Sequence, residues 1–148
     1  MLSKRTKYAL KALLALTEHR GDQPVRIADL ARQERIPRKF LELILLDLRN
    51  QGLVRSQKGK GGGYLLARDP RKVYVGQVVR LFDGPLAPVP CASQTAYVRC
   101  ADCANEAACG VRLAMKEVRD ATARILDRLS LASLARREIA ARPSVSAR

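Results

Sequence analysis

Apolar residues recur every three or four positions at the start of the chain. Ala9, Leu10, Ala12, Leu13, Leu14 and Leu16 form a broad stripe that predicts an amphipathic helix over Ser3–Glu18, ended by Gly21 and Asp22. Ile27, Leu30 and Ala31 predict a shorter helix from about Arg26 to Arg35, after which Ile36-Pro37 interrupts the pattern. Pro37 suits the first position of a third helix, where its missing N–H is not needed. That helix runs to Gln51 and stops at Gly52, the favoured residue just past a helix end. On a helical wheel Leu41, Ile44, Leu45 and Leu48 share one face with Phe40 at its edge, while Lys39, Glu42, Leu43, Leu46 and Asn50 face away. Two short helices joined tightly, the second opening on basic residues, make a helix-turn-helix pattern.

The period then changes. Leu53–Lys58 reads as a strand, Gly59–Gly63 as a turn and Tyr64–Ala67 as the returning strand, a two-stranded wing. Val75–Phe82 predicts a further short helix, and the Pro-rich connection Asp83–Pro90 closes a first domain, residues 1–85. Beyond it Val111, Met115, Val118, Thr122, Ile125 and Leu129 alternate spacings of four and three, as in a coiled coil. A helix from Val111 to Leu129 would be roughly 28 Å long and could pack against a symmetry mate. A short helix from Ser130 through Glu138 and a disordered tail after Ala140 complete residues 86–148. The fold class is therefore mainly α with a small β-wing: a winged helix-turn-helix followed by a long dimerisation helix.

Composition sharpens this picture. The chain has 148 residues, 47% of them hydrophobic, enough to bury one core with an appendage. Its 28 Lys and Arg against 14 Asp and Glu leave a net charge of +14, which favours a polyanionic partner. The excess is uneven: residues 1–85 carry 18 basic against 8 acidic side chains, residues 86–148 only 10 against 6. The polyanion contact thus belongs mainly to the first half. The longest apolar run, Ala12–Leu16, is far shorter than the roughly 20 residues of a membrane-spanning helix. Lys7 and Lys11 interrupt what would be a signal-peptide apolar region, so a cytoplasmic location is expected.

On the third helix Arg38 and Lys39 can donate to guanine or to phosphate, and Glu42 can accept from cytosine and penalise other bases. A solvated helix face is the bland alternative, and the charge asymmetry argues against it. The turn Lys58-Gly59-Lys60-Gly61-Gly62-Gly63 offers two lysines and a backbone able to approach a phosphate or groove wall closely. A nucleotide-binding loop is the rival reading. It fails because no Ser or Thr follows Gly-Lys and because strands rather than a helix follow.

All four cysteines lie between Cys91 and Cys109, spaced Cys91-x8-Cys100-x2-Cys103-x5-Cys109. In a reducing compartment such a cluster reads as metal or redox chemistry rather than structural disulfides. A zinc ribbon normally shows two C-x2-C pairs and a bacterial ferredoxin run repeats that pair; this chain has one. Iron–sulfur, zinc and redox-thiol readings all stay open on spacing alone. The one histidine, His19, stands far from the cysteines in sequence, and no Ser/His/Asp set suggests hydrolysis, so no enzyme is expected.

Three segments carry a family resemblance: Ile36-Pro37-Arg38-Lys39-Phe40-Leu41-Glu42, Leu48-Arg49-Asn50-Gln51-Gly52-Leu53-Val54, and Gly59 through Leu65. With them the chain resembles the IscR/NsrR-type regulators, the Rrf-two family. The likeness continues through Val75-Gly76-Gln77-Val78, Asp83-Gly84-Pro85-Leu86, the cysteine loop and Leu131-Ala132-Ser133-Leu134. It implies a dimeric winged-helix repressor or activator whose members often hold an iron–sulfur cluster in the loop before the long helix. Some relatives take a fourth ligand from a histidine three residues after the last cysteine, where this chain has Arg112. Others take an acid from the first helix, where it has Lys4, Arg5, Lys7 and Tyr8. These departures favour an all-cysteine site, Cys91, Cys100, Cys103 and Cys109, for a [2Fe–2S] or [4Fe–4S] cluster, with zinc also compatible. Leu43 stands where a polar residue is common, so the preferred DNA sequence should differ.

The function expected is therefore a homodimeric regulator that binds double-stranded operator or promoter DNA through Arg38, Lys39, Glu42, Lys58 and Lys60. It would sense iron, redox state or nitric oxide through a cluster on the four-cysteine loop. The alternatives are the same regulator with a thiol switch or a zinc site and, remotely, a thiol oxidoreductase using Cys100-x2-Cys103, around which no thioredoxin-like pattern is found.

Overall fold

A computed structural model describes residues 2–19, 21 and 23–143. Its helices are α1 (Lys4–Glu18), α2 (Ile27–Glu34), α3 (Arg38–Asn50), α4 (Val75–Asp83), α5 (Gly110–Leu126) and α6 (Leu131–Ala141). Strands β1 (Val54–Gln57) and β2 (Gly63–Leu66) pair antiparallel, with Val54 opposite Leu66 and Gln57 opposite Gly63. The wing and the helix-turn-helix read from sequence are both present. No described helix is long and apolar enough to cross a membrane.

Ser3 caps α1: its hydroxyl accepts the Thr6 N–H at 3.1 Å, satisfying one of the donors a helix start leaves free. At the other end α1 closes on His19; the expected stop at Asp22 lies outside the described residues. Helix α2 ends on Arg35 in the left-handed region, φ 55°, after which the Ile36 N–H bonds back to the Ala31 carbonyl at 2.9 Å and Ile36 itself is buried. Pro37 sits one place earlier than expected. It is the extended residue before α3, φ −56° and ψ 126°, and its carbonyl accepts the Leu41 N–H at 2.9 Å.

The core is built where the stripes meet. Ala9, Ala12 and Leu13 of α1, Leu30 of α2, and Leu41, Ile44, Leu45 and Leu48 of α3 are all fully buried in one cluster. Phe40 packs edge-on against Tyr8 with ring centroids 5.7 Å apart. Helix α6 returns to this core: it packs on α1, Leu131 is fully buried in the same cluster, and Arg142 pairs with Glu18 at 2.9 Å. It extends past the expected end at Glu138 to Ala141, and of the expected tail residues 144–148 lie outside the described residues.

The heptad helix is shorter at its far end than its spacing predicts. It ends at Leu126 because the backbone beyond is engaged elsewhere: the Leu129 carbonyl accepts the Val75 N–H at 2.9 Å, and the Leu131 N–H donates to Val73 at 2.8 Å. Leu129 therefore lies outside the helix.

In the wing turn Gly59 and Gly61 take positive φ, 97° and 80°, whereas Gly63 is required by proximity. Tyr64 and Val25 exchange backbone hydrogen bonds of 2.8 and 2.9 Å, tying the wing to the start of α2, and a Cβ on Gly63 would overlap the Val25 carbonyl. Gly63→Ala should consequently cost about 1–3 kcal/mol, as overpacked sites do. Chemical denaturation should show the loss as a lower midpoint with an unchanged m-value.

Candidate functional site

Two surfaces carry the chemistry. On the first, α3 presents Arg38, Lys39 and Glu42 to solvent over its first two turns, while its opposite face is sealed in the core. Arg38 Nε donates to Glu42 Oε1 at 3.2 Å, one turn on, so the predicted donor and acceptor are paired with each other. Leu43, beside Glu42, is 57% exposed and Leu46 is also exposed, so this outward face is part apolar. Lys58 and Lys60 are exposed on the wing turn. Two arginines not singled out by sequence join them: Arg55, exposed on β1, and Arg26, exposed at the start of α2 and brought to the base of the wing by the Val25–Tyr64 pairing. Their type was visible in the chain, but their place beside the wing was not.

The second surface is the segment between α4 and α5. A 3-10 turn, Pro90–Ala92, carries Cys91; an irregular loop carries Cys100 and Cys103; Cys109 is the residue immediately before α5. The loop is organised by its own side chains. Ser93 Oγ accepts the Ala96 N–H at 3.0 Å, Asn105 Oδ1 accepts the Ala107 N–H at 3.0 Å, and Tyr97 Oη donates to the Glu106 carboxylate at 2.6 Å.

All four cysteines line one cavity of about 670 Å³, together with apolar residues such as Val98 and Val111 and the side chains of Arg99 and Arg112. Four free thiols in an apolar-walled cavity, with the guanidinium groups of Arg99 and Arg112 against the one carboxylate of Asp102, suit an iron–sulfur cluster by donor type and by net positive charge. Their present spacing is looser. Among the described residues no group of three or more His, Cys, Asp or Glu is arranged to hold a metal ion, so the sulfurs share a cavity wall without converging.

Two of the thiols, Cys100 and Cys103, are held toward their protonated form. A hydrogen bond to the Asp102 carboxylate, and its charge, raise the Cys100 thiol above its ordinary value. Desolvation, followed by the neighbouring Cys109, raises Cys103. A metal bound here must displace those protons.

Helix α5 positions this site and has little support of its own. None of its 17 residues is buried, and Val111 and Ile125 on its heptad face are 66% and 65% exposed. At its far end Arg80 of α4 donates to Asp127 at 2.5 and 2.9 Å. Arg112 in its first turn and Arg119 near its middle donate to backbone carbonyls of the 3-10 turn, contacts that sequence gave no means of finding.

Solved structures share this architecture. CymR of B. subtilis, described as the global cysteine regulator of that organism, superposes with a TM-score of 0.75 at 28% identity, covering 91% of this chain and 95% of that one. T. potens IscR superposes at 0.74 over 97% and 93%, at 24% identity, a likeness of fold. The chain is thus a winged helix-turn-helix transcription regulator. It belongs to the Rrf2 (Rrf-two) family, described as iron-dependent transcriptional regulators, whose pattern matches residues 2–137. A Rhodobacter capsulatus protein named as an rrf2-like HTH-type transcriptional regulator is 46% identical over 134 residues, 88% of this chain and 89% of that one.

The Arg80–Asp127 pair gives the attachment of α5 a pH dependence. Hydrogen bonding to Arg80 holds the Asp127 carboxyl below its ordinary 3.8. A carboxyl lowered by folding adds stability above its unfolded value, and that stability is lost as pH falls through the folded one. Both side chains are about two-fifths exposed, which limits the contribution to about 1 kcal/mol or less. Asp127→Asn should therefore be slightly less stable than wild type near pH 7. In urea titrations the gap should begin to close near pH 3.8 and vanish below the folded-state value.

Proposed function

We propose that this protein is a homodimeric DNA-binding regulator whose four cysteines, Cys91, Cys100, Cys103 and Cys109, bind one iron–sulfur cluster per subunit, all from the same chain. The observation that carries the reading is the single cavity lined by all four thiols at the start of α5. The family's description as iron-dependent supports it. A bound cluster supplies a centre whose charge and integrity respond to iron, oxidants and nitric oxide. The chain's own residues do the rest: the thiolates bind, and Arg99 and Arg112 offset negative charge.

A second copy of the chain covers the heptad face of α5, because Val111, Val118 and Ile125 otherwise remain in water. Pairing through α5 sets the separation of two α3 helices, so a change at the cysteine loop alters DNA affinity by shifting that separation. On each reading head Arg38, Lys39, Lys58 and Lys60 hold phosphate or guanine, Glu42 discriminates against bases that cannot donate to it, and Leu43 offers an apolar contact to a thymine methyl.

Strictly anaerobic purification followed by iron, sulfide and zinc analysis and a visible spectrum tests the sensor. The expected result is a coloured protein with iron and sulfide, whose chromophore is lost or destabilised in each Cys→Ala variant while the fold is retained. Colourless protein with stoichiometric zinc, or with reversible thiol oxidation and no metal, would replace the cluster by a zinc site or a thiol switch. A full spectrum in Cys100→Ala would place the fourth ligand elsewhere.

The division of labour on DNA has its own signature. Lys60→Ala should weaken binding to every sequence and make the salt dependence shallower by about one unit, because one phosphate contact is lost. Glu42→Ala should instead broaden the range of sites recovered from a randomised duplex pool. Equal losses on all sequences from both variants would show that anchoring and reading are not separated in this way.

A further inference from the structure

Cys91 stands apart from the other three cysteines. It is 8% exposed and is followed by Ala92 at 1%, whereas Cys100 is exposed and Cys103 and Cys109 are half-buried. The turn that holds it closes with two backbone bonds, Ala92 N–H to Val89 at 3.0 Å and Ser93 N–H to Pro90 at 3.1 Å, and the Pro90 carbonyl also accepts the Val98 N–H of the loop at 3.4 Å. Its hydrogen bonds from outside the cysteine loop come from α5. Arg112 Nε donates to the Cys91 carbonyl at 3.0 Å, and Arg119 Nη1 donates to the Ala92 carbonyl.

These arginines are seven residues apart, two helical turns, and so lie on one face of α5. The Arg119 side chain is only 11% exposed and makes its remaining bonds to Asp120, Nε at 2.8 Å and Nη2 at 2.6 Å. A guanidinium removed from water keeps its protein acceptors, because an unpaired buried charge is costly. Both carbonyls belong to a turn too short to hold a direction alone, so α5 dictates where the Cys91 sulfur points.

We propose that Arg112 and Arg119 are positioning residues that clamp Cys91 to α5, making it the fixed member of the thiol set and the route by which a change at the exposed cysteines reaches the long helix. The clamp is a property of the chain with or without a metal. Its role in signalling rests on the reading of the four cysteines as one ligand set.

Pulse alkylation of the full-length, reduced, metal-stripped protein with N-ethylmaleimide, read by peptide mass spectrometry, tests the clamp. Cys91 should be modified more slowly than Cys100 in the wild type. In Arg119→Ala and in Arg112→Gln its rate should rise by roughly tenfold, the factor expected when a charge-assisted hydrogen bond is lost, with Cys100 and Cys103 unchanged. Arg119→Lys, which keeps one charged donor, should restore part of the protection. If Arg119→Ala does not fold, Arg112→Gln at its half-buried position carries the test. Equal modification of Cys91 and Cys100 in the wild type, or a protected Cys91 in the folded variants, overturns the clamp.

Signalling is read separately in anaerobically prepared Arg119→Gln, which leaves the Arg112 charge beside the cysteines in place. Its iron content and spectrum should match the wild type, while its affinity for an operator selected from random duplexes should no longer differ between iron-loaded and chelator-stripped forms. An unchanged difference removes the coupling role. Absence of iron from the wild type itself refutes the ligand set and leaves the alkylation result standing.

Discussion

Leu41, Ile44, Leu45 and Leu48 leave no surface to water, and their burial against α1 and α2 fixes both the axis and the rotation of α3. Everything on the outward face of α3 follows from that constraint. Once one face of the helix is sealed, Arg38, Lys39 and Glu42 have only solvent to face, and they stand at its first two turns, where a recognition helix meets base edges. The wing depends on the same core at one remove. Val54 of β1 joins the buried cluster, while the Val25–Tyr64 pairing secures β2 to the loop before α2. Helix α6 completes the core from the far end of the chain through Leu131, so the two halves are physically joined on the N-terminal core.

Helix α5 obeys the opposite rule. A helix of 17 residues with none buried gains little from its own chain, and it is held by Arg80–Asp127 just past its far end and by Arg112 and Arg119, which grip the 3-10 turn from its first turn and its middle. Its apolar face, Val111, Val118 and Ile125, stays exposed, and the cysteine loop adjoins its start. The cysteine loop is likewise built from short-range ties rather than from core packing. The N-terminal core and the segment from the cysteine loop through α5 thus differ in how much apolar surface each buries, the usual physical distinction between stable and responsive regions.

Local patterns were the legible part of this protein. The stripe of α3, the left-to-right order of helices, the glycine turn and the cysteine spacing all act over a few residues, and each appears close to its predicted place. Boundaries moved where distant backbone competed. Leu129 has the right spacing to extend the heptad helix, yet it is drawn out by Val75, 54 positions earlier in the chain. Pro37 moved by one position because Ile36, just before it, turns into the core and sets the entry to α3. The glycines of the wing looked equivalent, but two serve positive φ and Gly63 serves a close approach to Val25 that no local rule contains.

The sequence by itself determined the winged helix-turn-helix class, the buried and outward faces of α3, the basic character of the first half and the clustering of four cysteines before a long apolar-striped helix. These are properties of residue type and spacing, which local periodicity and charge express directly. Only the tertiary structure decided that α6 closes the N-terminal core, that the four thiols line one cavity without converging, and that Arg112 and Arg119 reach the carbonyls of the Cys91 turn. Those are meetings between segments far apart in the chain, and they depend on the packing geometry of whole helices, which no run of neighbouring residues encodes.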